Sequence, residues 1–431
     1  MMKKISLLCL TLLLAMSARA ELTIEITQGV ASAIPIAVVP FQNASGAGLS
    51  QDIDDIIRND LGRSGHFTAI SPNDMLSLPT SERDVYFRDW RLLKQDYVLI
   101  GQITKTNDNL RYQVRYQLFD VAHEKQLLVQ VLSGSDEQLR DIAHKISDAV
   151  YERLTGIRGV FSTKIAYVTT NPTRTQANLT IADADGARER VIFKSKDSIF
   201  SPAWAPDGRR IAYVSLESDR SEVFIQDIYT GSREKVASFK GLNSSPAFSP
   251  DGNRLSMTLS KDGNPEIYVL NLQTRQWQRI TNHYAIDTEA SWLADGQNLI
   301  FTSNRSGKPQ IYKANVNTGA VERITFEGGY NARARVAQEG RFIVLVHQDD
   351  KSGAFHIASL DLRRGLLREL SSDTQLDESP SVSPNGVMVL YAARQKGRSI
   401  LAAVSVDGDI KFLLPSKLGD VREPAWGPYP N

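Results

Sequence analysis

The stretch SPAWAPDG at 201–208 returns as SPAFSPDG at 245–252 and as EASWLADG at 289–296. Asp207, Asp251 and Asp295 therefore lie 44 residues apart. A degraded copy, RARVAQEG at 333–340, keeps the step; SPSVSPNG at 379–386 arrives after 46, and EPAWGP at 423–428 returns to 44. One position carries an apolar anchor throughout: Trp204, Phe248, Trp292, Val336, Val382 and Trp426. Self-similarity at this period marks a solenoid or a propeller. After each complete turn motif comes a β-rich run, such as RIAYVS at 210–215 or NLIFT at 298–302, and a second follows about ten residues on. Asp-Gly, Thr-Gly and Asn-Gly turns bound these runs. Four short strands in 44 residues make one propeller blade.

The ends of the array indicate how the ring closes. The sixth copy stops after its first strand, and strands resembling the missing ones precede the first copy, KIAYVT at 164–169 and LTIAD at 179–183. Residues 424–427 are therefore expected to pair with 165–168. One blade would be stitched from two distant segments, and no open sheet edge would remain to invite aggregation. Six blades are predicted.

Ahead of the array the period changes. Residues 22–27 alternate like a half-buried strand, read as an edge strand of a first domain, and 34–39 form a continuous apolar strand. Ile53, Ile56, Ile57 and Leu61 recur at helical spacing, with Gly62 as the stop. A second helix is expected over 85–95, a strand meander over 97–104, 111–119 and 126–132, and a last helix over 136–154 ended by Gly156. The fold class is thus multi-domain, α/β plus all-β. A small α/β domain at 21–157 precedes a six-bladed β-propeller at 158–431, closed by its C-terminal strand.

Residues 1–20 read as a secretory signal. Lys3 and Lys4 precede an apolar run, and Ala18-Arg19-Ala20 supplies a small-x-small cleavage site. The run is too short to span a bilayer comfortably. Leu8 before Cys9 does not suit lipidation. The chain has 431 residues, of which 42% are apolar and 23% charged, as in an ordinary globular protein. Fifty Lys and Arg against 49 Asp and Glu create no basic field for nucleic acid. Cys9 is the single cysteine, so cleavage would leave a thiol-free chain suited to an oxidising compartment such as the periplasm.

A search for chemistry finds little. There is no G-x-S-x-G elbow, no HExxH and no phosphate-binding Gly-Lys-Ser/Thr motif. His66, His123, His144, His283, His347 and His356 are scattered and read as surface or strand residues. IADADG at 181–186 resembles a calcium loop for a few positions, but it lacks a first ligand and a closing acid and reads as a turn. The repeated aspartates satisfy tight turns. No catalytic residue, cofactor or metal is expected. The competing class is a peptidase-related or glycan-binding propeller, because similar repeats occur in peptidases.

Binding remains, and the repeat indicates where. The residues just before each innermost strand are Ser201, Ser245, Glu289, Arg333, Ser379 and Glu423, preceded by Phe200, Ser244, Thr288, Ala332, Glu378 and Arg422. They should ring the mouth of the channel, where a mixed charged ring can hold a partner by directional hydrogen bonds. Asn243 joins them on the second loop.

The SPAW/SPDG array, PIAVVPF at 35–41, LTGIRGVF at 154–161 and GKPQIY at 307–312 together resemble the TolB family of the Tol–Pal system of Gram-negative bacteria, over essentially all of 21–431. The resemblance implies a non-enzymatic, monomeric periplasmic adaptor, without a membrane span of its own, that serves outer-membrane integrity and envelope constriction in cell division. It implies that the mouth holds the lipoprotein Pal, with certain colicins competing there, and that Thr288 and Glu289 match positions of that contact. Leu242 departs from the family's usual residue, which leaves the pairing on that loop open. It further implies that the mature N-terminus, Glu21, Leu22, Thr23, Ile24, Glu25, Ile26 and Thr27, binds TolA.

Overall fold

The computed structural model describes residues 25–28, 33–46, 48–106, 111–171, 173, 175–337, 340–372, 374–395, 397–414 and 419–430. The signal segment and residues 21–24 lie outside the described residues.

After a short strand β1 (Glu25–Gln28), the first domain comprises β2 (Ile34–Val38), β3 (Gln42–Asn43), α1 (Ile53–Arg63), β4 (Phe67–Ala69), α2 (Phe87–Leu92), β5 (Tyr97–Lys105), β6 (Tyr112–Asp120), β7 (Lys125–Gly134) and α3 (Leu139–Thr155). Its mixed sheet runs β4-β2-β5-β6-β7, with β3 beside β5. β2 is parallel to β4 and β5, and the β5-β6-β7 meander is antiparallel. Ile53, Ile57 and Leu61 of α1 and Leu139, Ile142, Ile146 and Val150 of α3 bury one stripe each against this sheet, as their spacing requires. Helix boundaries differ from expectation, and the last helix begins at Leu139 after a 3-10 turn over Asp136–Gln138. Gly62 lies inside α1, which ends at Arg63 with the turn made by Gly65 at φ 71°. The second helix is shorter than predicted, running only from Phe87 to Leu92, beyond which Lys94 is left-handed at φ 54°. Gly156 ends α3 in the left-handed conformation, φ 73°, which a Cβ would oppose.

Six antiparallel sheets form the propeller. The first five blades begin with inner strands Ile199–Trp204, Asn243–Phe248, Asp287–Trp292, Asn331–Ala337 and Gln375–Val382. The sixth blade joins the C-terminal strand Asp420–Trp426 to β8 (Lys164–Thr170), β9 (Ala177–Asp183) and β10 (Arg190–Ser195). Arg422 faces Val168, Ala425 faces Ala166 and Trp426 faces Ile165, so the ring closes where the repeat arithmetic placed the seam. The anchors stitch neighbouring blades: Trp204 Nε1 donates to the Ala425 carbonyl and Trp292 Nε1 to the Ala247 carbonyl, each at 3.1 Å. The repeated aspartates are turn residues. Asp207 Oδ1 accepts from the Arg209 and Arg210 amides, and Asp295 Oδ1 does the same in its turn.

Because successive strands of a blade alternate in direction, these turns and the hairpins between third and fourth strands share one end of the ring. The first domain sits on that end. Asn385, in the turn of the fifth blade, donates to the Arg158 carbonyl at 2.9 Å, and Trp426 Nε1 donates to Thr163 Oγ1 at 2.9 Å. The β9–β10 hairpin, the segment with a partial calcium-loop pattern, receives α3. Asp183 pairs with Lys164, Arg188 and Arg140 at 3.1, 2.6 and 3.3 Å, and Asp185 pairs with Arg140.

His144 is the exception to the surface-or-strand reading of the histidines. It lies in α3, 1% exposed, on the face away from the apolar stripe, where it meets Asp60 of α1 and Asp185 of the β9–β10 hairpin. Its Nδ1 is 2.7 Å from Asp60 Oδ2, and its Nε2 lies 3.8 Å from Asp185 Oδ2. Burial alone would lower its pKa, but the Asp60 carboxylate, with Asp185 behind it, reverses this and the net shift is upward. Asp185 is held down to about 2: burial opposes its charge, but Arg63, His144 and Arg140 prevail.

A raised folded-state pKa means that His144 contributes stability in full below about pH 6.5 and loses it as pH rises through the raised value. Melting temperatures measured from pH 6 to 9 are expected to fall in the native chain and to lose this component in His144→Gln. Parallel profiles for the two proteins would refute the assignment.

Candidate functional site

The ring expected just before the inner strands lies instead within them. Ser201, Ser245, Glu289, Arg333, Ser379 and Glu423 all adopt positive φ, between 49° and 59°. At each the ladder to the second strand slips, as between Phe200 and Ala203 or Thr288 and Ser291. These are β-bulges repeated in every blade, and a bulge re-aims the side chain it carries. Proline, which needs no ladder partner for a missing N–H, follows the bulge in four copies (Pro202, Pro246, Pro380 and Pro424). Neighbouring blades hold two of the strained amides: Glu289 N donates to Thr258 Oγ1 at 3.3 Å and Arg333 N to Thr302 Oγ1 at 3.0 Å.

The ring's charges satisfy one another. Arg333 Nε meets Glu289 Oε1 at 2.8 Å, while its Nη1 reaches Ser379 Oγ and Glu423 Oε1, the latter at 3.4 Å. Arg333 thus crosses the mouth of the channel. Burial opposes its charge, yet Glu423, Glu289 and Glu378 raise its pKa on balance. Burial likewise raises that of Glu378, more than Arg333 lowers it.

The other sequence-selected residues divide. Phe200 is exposed; Ser201, Ser244, Ser245, Thr288, Glu378 and Arg422 are partly so. Ser379 and Ala332 are buried. Asn243 is a correction: it is fully buried, and its amide donates to the Ser221, Phe239 and Gly241 carbonyls, so it pins the loop from inside. Of the N-terminal segment, Glu25, Ile26 and Thr27 lie in β1, and this strand is not part of the first domain's sheet. It adds to the outer edge of the fifth blade, with Glu25 opposite Leu413 and Ile26 opposite Phe412. The outermost strand there, Lys411–Leu414, offers a free edge of backbone groups, which a β-prone segment of either domain can fill.

Sequence reasoning missed an apolar rim. Leu242, Tyr284, Ile286, Phe326 and Leu376 are exposed, Tyr284 by 86% and Phe326 by 73%. Leu242, Tyr284, Ile286 and Phe326 lie in the loops that enter the inner strands and Leu376 at the start of one, at the end of the ring opposite the first domain. With Phe200 they surround the mouth. The signal was present in apolar residues within turn-like loops, such as Leu242 and Ile286, each three positions before its bulge.

Among the described residues, two clusters bring possible metal ligands together: Asp60, His144 and Asp185, and Asp52, Asp54 and Asp55. Neither donor set fits a cation. Arg63 and Arg140 already occupy the carboxylates of the first, and Arg58 bonds Asp54 and Asp55 of the second.

A closed six-bladed propeller with a small helix-and-mixed-sheet domain on its turn face defines a class of two-domain propeller proteins. A family profile described as the TolB beta propeller domain matches residues 151–430, and one described as the TolB amino-terminal domain matches 22–127. The chain is 56% identical to the Tol-Pal system protein TolB of Pseudomonas aeruginosa, across 97% of both chains. It is 53% identical to that of Hahella chejuensis, across 99% of both. The crystal structure of TolB from Acinetobacter baumannii superposes with a TM-score of 0.87 at 44% identity, covering 94% of this chain and 99% of that one. The chain belongs to the TolB family and is a component of the Tol–Pal system.

The bulges generate a prediction. A left-handed non-glycine residue costs about 1 kcal/mol, which glycine relieves at some entropic expense. Ser245→Gly is expected to match or exceed the native stability in urea unfolding, whereas β-branched Ser245→Val should lose more than about 1 kcal/mol. The reverse order would show that the site is not strained.

Proposed function

We propose that this protein is a non-enzymatic adaptor of the Tol–Pal complex, exported to the periplasm after cleavage of residues 1–20, that binds Pal at the propeller mouth and TolA through its mature N-terminus. In this role it supports outer-membrane integrity and envelope constriction during division. The observation that carries the reading is the exposed apolar rim around a mouth whose charges are already paired. Protein interfaces centre on desolvated apolar and aromatic anchors inside a polar border, and a face of six loops can bury the roughly 1,600 Å² of a standard complex. The pairing of β1 with the fifth blade supports the second half of the reading. A segment docked on its own propeller is withheld from a partner, and releasing it would present a β-prone strand to TolA.

Ile286→Asp and Leu242→Asp are expected to weaken Pal binding at least about tenfold in calorimetric titration while shifting the melting temperature by less than about 2 °C. Unchanged affinity would move the contact elsewhere. Deleting residues 21–32 is expected to abolish TolA binding and leave Pal binding intact or tighter. Loss of both would argue against two separate sites.

A further inference from the structure

Among the described residues, one long sheet edge stands uncovered. The outer strands of the first four blades are three to five residues long, and that of the fifth is covered by β1. β10 has six residues, and β4, at one edge of the first domain's sheet, has three. The other edge of that sheet is β7, with ten residues. Its register with β6 slips only near the hairpin, and from Leu128 to Gly134 the two strands pair without a break. Proline, charge or a bulge blunts most exposed edges. Residues 128–134 hold no proline and no charged side chain.

Two valines stand on this run. Val129 and Val131 are 46% and 54% exposed, whereas Leu128 and Leu132 pack into the core beneath α1 and α3. Alternation puts the valines on the opposite face of the sheet. That face is turned away from the propeller, because α3 carries the contacts to the β9–β10 hairpin. There α2 packs over the end that holds Val98, Ile100 and Phe119. Further along, the register sets Gln117 beside Val129 and Arg115 beside Val131. The surround is basic: Arg111, Arg115 and Lys125 are exposed, and none is paired with a carboxylate among the described residues. The acids of 111–134 are Asp120 and Glu124, both at the hairpin, where His123 and Arg91 hold them.

We propose that the β7 edge is a docking surface for an extended, acidic segment of another protein, which adds a strand beside residues 128–134. Its apolar side chains cover Val129 and Val131, and its carboxylates meet Arg115. Backbone hydrogen bonds hold the strand, and the basic surround selects an acidic sequence over a basic one. The same charge opposes a second copy, since edge-to-edge pairing of two chains would bring two basic surrounds together. The surface lies on the first domain, apart from the mouth and from β1, and does not depend on what either binds.

The probe is an end-blocked octapeptide with threonine at every second position and glutamate, valine, valine and glutamate at the others. A second peptide carries lysine in place of glutamate. Titrated into the purified chain, the acidic peptide is expected to bind at least about tenfold more tightly than the basic one, and amide hydrogen exchange across 128–134 is expected to slow on binding. The double variant Val129→Glu, Val131→Glu is expected to weaken the acidic peptide at least about tenfold while moving the melting temperature by less than about 2 °C. Arg115→Glu is expected to reverse the preference between the peptides, and it decides should the double variant not fold. Binding of neither peptide, equal binding of both, or slowed exchange at 411–414 in place of 128–134 would overturn the proposal. So would a native chain that sediments as a dimer and turns monomeric in the double variant, because a second copy would then be the occupant.

Discussion

Ring closure is the constraint on which the rest of the structure depends. The C-terminal strand and β8 pair across some 250 residues of chain, Asp420 opposite Thr170 at one end and Trp426 opposite Ile165 at the other. Without that ladder the first and fifth blades would each face an incomplete neighbour, and two sheet edges would stand open. Loop-closure entropy grows only logarithmically with length, so a seam this distant costs little more at equilibrium than a local one, though it slows folding. Trp204 and Trp426 lock the seam, because each indole N–H finds an oxygen across a junction: Trp204 on Ala425 and Trp426 on Thr163.

Closure also divides the molecule into two unlike ends. Strand alternation collects the Asp-Gly turns at one end, where their compact geometry and the aspartates of the β9–β10 hairpin receive the first domain. The loops that enter the inner strands gather at the other end and stay uncovered. Domain attachment and partner docking therefore do not compete for surface. The joint rests on buried carboxylates shared among Arg63, Arg140, His144 and Arg188, an arrangement that specifies orientation at some cost in desolvation.

Inside the channel the same bulge in six blades turns six side chains toward one axis. A ring of serines alone would leave the lumen to water. Substituting Glu289, Arg333 and Glu423 fills it with a bonded cluster, so the charges act mainly on one another. Specificity at the mouth then falls to the apolar side chains around it.

Sequence alone determined the propeller, its six blades and its seam, because a period of 44 residues with an anchored turn admits few other packings. It also singled out six equivalent residues, since repeats at fixed spacing must share a place in each blade, though not the bulge that each forms within its strand, and it identified the repeated aspartates as turn formers. The tertiary structure decided what pattern cannot encode. Whether Asn243 faces out or in, whether Arg333 waits for a partner or already has Glu289 and Glu423, and whether β1 joins the first domain or the fifth blade all depend on groups distant in the chain that meet only after folding. His144 shows the same limit. The helix that carries it was readable, but its placement between Asp60 and Asp185 exists only because two domains, each folded by its own pattern, bring their carboxylates to one point.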